Sequence, residues 1–168
     1  MQAISRRRNS RNGPPQNAKF KDLIPETAMK KRTTFNPKRS ICKNDDLDLV
    51  ALSEAVRYNG NPEHKRNPGD FGLTPPSQPR ADKTLCDAVK IFTKAEATAL
   101  LREGVRKGLI SVRMVNHLPQ NIWSVTKDGY PIEAQLENPE QGTYHGYPMP
   151  ESDPFRAEVL VRWKKETQ

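Results

Sequence analysis

The chain has 168 residues, 34% of them hydrophobic and 29% charged, with a formal net charge of +8 and a mean hydropathy of −0.86. That length holds one domain plus a tail, and the low apolar content means that part of the chain packs no core. No apolar run approaches the ~18 residues needed to cross a bilayer, and the arginine-bearing N-terminus has no apolar signal region. A cytoplasmic protein with no membrane partner is therefore expected.

The charge is unevenly placed. Residues 1–43 carry 12 Lys/Arg against 2 Asp/Glu, and the remainder carries 16 against 18. Residues 1–43 read as a basic arm, disordered or ordered by a partner, ahead of a single domain over residues 44–168. Its clusters are Arg6, Arg7, Arg8 and Arg11, then Lys30, Lys31, Arg32, Lys38 and Arg39. Such clusters engage the phosphate backbone of RNA or DNA with strong salt dependence. An acidic protein surface is the alternative partner.

Apolar residues at 47, 50, 51, 55 and 58 predict a helix from Asp45 to about Tyr58, ended by Asn59-Gly60-Asn61-Pro62. Residues 60–81 hold five prolines and three glycines and read as a long functional or surface loop. Thr93 and Glu96 have capping-box spacing, opening a helix that buries Ala97, Leu100, Leu101 and Val105 and stops at Gly108. Three strands are predicted at 109–115, 121–126 and 130–137, the last two joined by a turn at Lys127-Asp128-Gly129. Residues 142–147 read as a short fourth strand. Asp153 and Pro154 open a final helix with an apolar face of Phe155, Val159, Leu160 and Trp163. The expected fold class is α+β: a helical N-terminal part, a three- to four-stranded antiparallel meander and a C-terminal helix, with helices covering one face of the sheet.

The chemistry-bearing residues gather near the end of the meander. In Gly142-Thr143-Tyr144-His145-Gly146-Tyr147-Pro148 a histidine sits between two tyrosines. His145 is a candidate general acid or base, with Tyr144 and Tyr147 as hydrogen-bonding phenols. Glu133 on the third strand and Arg113 on the first complete the groups of a metal-independent ribonuclease. His64 and His117 read as incidental loop residues. Trp123 and Trp163 read as packing residues. Cys42 and Cys86 lack metal-ligand spacing and read as free thiols. Nothing in the motifs calls for a cofactor or a metal.

The segments Pro119-Gln120-Asn121-Ile122-Trp123, Glu133-Ala134-Gln135-Leu136-Glu137-Asn138 and Gly142 to Pro148 resemble a group of short, largely uncharacterised bacterial proteins. That group carries a Trp-containing strand, a Glu-Ala-x-Leu-x-Asn strand and a Gly-x-Tyr-x-Gly-Tyr-Pro ending. The resemblance covers about residues 55–150 and brings no activity with it. The order of helices and then an antiparallel sheet is similar, more loosely, to bacterial ribonuclease toxins of the RelE and barnase-like kind. Fold alone does not fix function. Two expectations follow: a nucleic-acid-associated bacterial protein with ribonuclease or toxin-like chemistry at His145, or a non-enzymatic module that docks a protein or ribonucleoprotein through the arm and the 60–81 loop.

Overall fold

Asp48 opens the first helix, α1 (Leu49–Ala55), by accepting from the Ala51 N–H. The computed structural model describes residues 33–34, 36, 39–43, 46–78 and 84–166. Helix α1 is shorter than its periodicity suggests. After Val56 the chain is extended and forms a two-residue strand, β1 (Arg57–Tyr58). The Arg57 N–H donates to Gly142 O and the Asn59 N–H to Tyr144 O. Pairing with a distant strand thus replaces one more helical turn. Residues 60–73 fold back on the core, burying His64, Lys65, Pro68 and Phe71, with short 3₁₀ turns at Pro62–His64 and Pro68–Phe71.

Helix α2 (Lys94–Arg106) has the full capping box: Thr93 accepts from the Glu96 N–H, and Glu96 accepts from the Thr93 N–H. Its buried face is Ala97, Leu101, Gly104 and Val105. The expected strand over 109–115 does not form as one element. Ile110 is fully buried, but Val112 and Met114 are exposed. Ser111 is the reason: its hydroxyl donates to Arg113 O and accepts from the Asn121 N–H, so a side chain takes over ladder bonds. The chain then turns out into a small hairpin, β2 (Met114–Val115) with β3 (Leu118–Pro119). Asn116 and His117 both have positive φ, as a two-residue hairpin turn requires.

The main sheet contains β4 (Asn121–Val125), β5 (Pro131–Asn138) and β6 (Thr143–Pro148) as an antiparallel meander. β1 adds in parallel to β6, giving the order β1-β6-β5-β4. The sheet is therefore mixed rather than wholly antiparallel. Helix α3 (Phe155–Lys165) follows. The two helices flanking the meander do not share a face, contrary to expectation. α2 covers Ile122, Ile132, Ala134 and Tyr144, while Phe155 and Val159 of α3 pack with Trp123, Val125 and Met149 on the other side. Helical cover on both faces buries all five residues of β4.

The expected boundary at residues 43/44 falls inside the folded unit. Arg39 and Ile41 are buried, the Cys42 N–H donates to Ile110 O, and the Val112 N–H donates to Ser40 O. Residues 40–42 thus extend the sheet edge beside the 109–111 segment. Arg6, Arg7, Arg8, Arg11, Lys30, Lys31, Arg32 and Lys38 lie outside the described residues. Among the described residues no helix is long and apolar enough to cross a membrane.

Candidate functional site

Strand register decides which candidates can meet. Residues directly opposite one another share a face, and successive residues alternate. Asn121 pairs with Gln135 and Gln135 with His145; Trp123 pairs with Glu133 and Glu133 with Tyr147. Two rows of side chains therefore cross the same face, the one that α3 covers only in part. Tyr144 has the opposite parity. It is fully buried in the α2-side core, and its hydroxyl donates to Pro119 O at 2.7 Å. Burial holds its phenol well above the ordinary tyrosine pKa. Tyr144 is a packing residue with no access to a ligand at His145.

Glu133 sits beneath the site rather than in it. Its side chain has no exposure, and Arg39 grips it with a fork: Nε to Oε1 at 3.1 Å and Nη2 to Oε2 at 2.7 Å. Arg39 Nη1 donates to both Asp153 oxygens, at 3.0 and 2.9 Å, and the guanidinium lies 5.0 Å from the centre of the Phe155 ring. Asn121 Nδ2 adds a bond to Glu133 Oε1 at 2.8 Å. Asp153 Oδ1 also accepts from the Phe155 N–H and so caps α3, as its position suggested. Two expectations are corrected together. Arg39 is a structural ion-pair partner, not a free phosphate-binding group, because its fork is spent on two buried carboxylates. Glu133 is a buried ion-pair partner of Arg39 and has no surface to offer a substrate. The partner of Glu133 is Arg39 and not Arg113.

Arg113 is exposed and lines a polar cleft of about 460 Å³ with Thr34, Asn36, Arg39, Gln120, Asn121 and Gln135. Gln135 is the direct cross-strand neighbour of His145, so the cleft and the histidine adjoin.

His64, set aside in the sequence as incidental, belongs to this site. Its ring lies nearly parallel to that of His145, with centroids 6.3 Å apart and 10° between planes, and 5.3 Å from the Tyr147 ring. Asn61 caps the turn that carries it by accepting from the Glu63 N–H, and Pro62 starts that turn. His64 Nδ1 stands 2.7 Å from Thr84 O. A carbonyl only accepts, so Nδ1 carries a proton. The signal in the sequence was the Asn-Pro-Glu-His turn itself, but nothing local pointed it at residue 145.

The next residue points to the other side of β6. Lys65 is buried, with Nζ 3.8 Å from the Phe71 ring centre and 5.5 Å from that of Tyr58. Beside it Cys86 donates to Gly146 O at 3.4 Å. Burial pushes the Cys86 thiol pKa up, opposed by the Lys65 charge, and burial likewise raises that of the Tyr58 phenol. Cys42 and Cys86 are both free thiols. His117 is exposed at the β2–β3 turn. Trp123 is fully buried, 5.0 Å from Phe155 ring to ring, and Trp163 packs against the α3-side core.

No family model matches the chain, and no curated protein or solved structure is detectably similar to it.

Proposed function

We propose that this protein binds RNA across the Asn121–Gln135–His145 row and cleaves it by metal-independent transesterification. The observation that carries this reading is the pair of near-parallel imidazoles, His64 and His145, beside an arginine-bearing polar cleft. Phosphodiester cleavage of RNA needs two proton transfers and a cation. His145, the less buried ring, takes the proton from a 2′-hydroxyl as that oxygen bonds to phosphorus. His64, as imidazolium, returns a proton to the departing 5′-oxygen, while Thr84 O steadies its Nδ1 proton. Arg113 stabilises charge on the phosphorane. The products are a 2′,3′-cyclic phosphate and a 5′-hydroxyl. Tyr147 lies beside both rings, stacked on His64 and tilted to His145.

The basic residues of the arm supply sequence-independent affinity. Removing residues 1–32 should weaken binding and flatten the slope of log K against log salt. For the chemistry, His145→Ala should reduce cleavage of mixed-sequence RNA by ~10²–10⁴-fold with little change in thermal midpoint. A midpoint lowered by several degrees, with no cleavage by the unaltered protein, would make His145 structural.

A non-enzymatic docking module is the competing reading. It is favoured by the exposed Leu47, Val50 and Met114 near an open groove of about 650 Å³ between α1 and the β2–β3 hairpin. A stable complex with an acidic protein, lost on Val50→Glu and indifferent to His145→Ala, would support it.

A further inference from the structure

Lys65 and Cys86 are buried nucleophiles that take no part in the proposed RNA chemistry, at 5% and 1% exposure. Two bonds set their segments side by side. His64 Nδ1 stands 2.7 Å from Thr84 O, and the Arg66 N–H donates to Asp87 Oδ2 at 3.0 Å. Lys65 lies between the bonded residues of one segment, and Cys86 between those of the other. Their side chains then meet at Tyr58. Lys65 Nζ is 5.5 Å from the centre of the Tyr58 ring, and Cys86 shares with that residue the wall of a cavity of about 20 Å³.

The Lys65 amine donates to no oxygen or nitrogen among the described residues, and rests instead 3.8 Å from the centre of the Phe71 ring. A polar group buried in that way is costly, and no ion pair has to break before it reacts. The Cys86 thiol donates to Gly146 O at 3.4 Å. Burial raises its pKa, and the neighbouring Lys65 charge opposes that. The cavity beside the thiol has room for about one water-sized molecule, so it admits only small oxidants. Burial has a second effect. A sulfenic acid formed at Cys86 is shielded from further peroxide and faces an amine, so condensation outruns over-oxidation.

We infer that Lys65 and Cys86 form a modification site, at which hydrogen peroxide joins Nζ to Sγ as a sulfenamide. Peroxide first converts the thiol to the sulfenic acid. Sulfur loses two electrons, the O–O bond breaks, and the second oxygen leaves as water with the thiol proton. Nζ, having given one proton to solvent, then attacks sulfur. The S–O bond breaks as the S–N bond forms, and the hydroxide leaves as water with a second proton from nitrogen. An added thiol reverses the link by attack on sulfur. The bridge ties the turn that carries His64 to the 3₁₀ turn at Cys86–Val89. It does not depend on the RNA reading.

The test uses the full chain with Cys42→Ser, which leaves Cys86 as the one thiol and excludes a disulfide within the chain. Folded protein is treated with hydrogen peroxide, free thiols are alkylated, and tryptic peptides are read by mass spectrometry. The Lys65 and Cys86 peptides should appear joined, about 2 Da lighter than their sum, and should separate on treatment with dithiothreitol. Peroxide treatment in concentrated urea should yield at least about ten-fold less of the joined pair, because only the fold holds the two groups together. Lys65→Arg keeps a cation and removes the amine; it should abolish the join and leave Cys86 as a sulfinic or sulfonic acid. Folded protein in which peroxide leaves Cys86 only as thiol, or only as its oxyacids, would overturn the site. So would an equal yield of the joined pair in urea, or joining of Cys86 to other lysines as often as to Lys65.

Discussion

Arg39→Ala removes a guanidinium that bonds two buried carboxylates at once. Arg39 makes four charge-assisted bonds, two to Glu133 and two to Asp153, and both carboxylate side chains are fully shielded from solvent. Breaking a buried pair from one side costs roughly 3–5 kcal/mol, because the remaining charge is left uncompensated. For a domain of this size each kcal/mol shifts the thermal midpoint by about 3–5 °C, so the midpoint should fall by roughly 10–20 °C. Calorimetry or circular dichroism on the full chain reads this directly. Adding Glu133→Gln to Arg39→Ala removes one stranded charge and should recover part of the loss. The reasoning fails if Arg39→Ala melts within about 3 °C of the unaltered protein, or if the double variant melts lower than the single. The same cluster sets the limit of truncation. Removing residues 1–43 takes away Arg39, Ile41 and the edge bonds to Ile110 and Val112, and should prevent folding.

Two further predictions concern the α2-side core. In Gly104→Ala the new Cβ would lie 2.3 Å from Trp123 O and 3.0 Å from Ile122 Cγ2, so α2 must lift from β4. Despite a helix-propensity gain of ~1 kcal/mol, urea denaturation should show a net loss of roughly 1–3 kcal/mol; Gly69→Ala, which meets nothing within 4 Å, should be neutral, and equal stability of the two would refute the packing argument. Burial raises the pKa of Tyr58 and Tyr144, so the fold favours their protonated forms. Their contribution to stability is complete below the ordinary tyrosine value of about 10 and is lost as pH rises beyond it. Tyrosinate absorbance from these two should appear together with loss of near-ultraviolet circular dichroism, and Tyr144→Phe should remove one tyrosine from that cooperative step. Their ionisation in a still-folded protein would count against the burial argument.

What the sequence determined was local. The capping box at Thr93 and Glu96, the turn at Asp128-Gly129, the alternation of β4 and β5 and the apolar face of α3 each depend on residues within a few positions. They could be read because periodicity and capping are short-range effects. The α+β class follows from their order, and the Tyr-His-Gly-Tyr run forms part of β6. Where that run faces was decided by register. One step along β6 separates His145 on the α3 side of the sheet from Tyr144 in the α2-side core, and alternation alone does not say which side is which. The long-range partners were equally illegible. Arg39 reaches Glu133 across 94 residues and Asp153 across 114, so a residue that looked like one more cation in a basic arm became the centre of a buried cluster. His64 joined His145 only because the chain after β1 folds back along the β6 edge. Ion pairing, ring stacking and burial act through space between chain segments, and no pattern confined to one segment encodes which other segment will arrive.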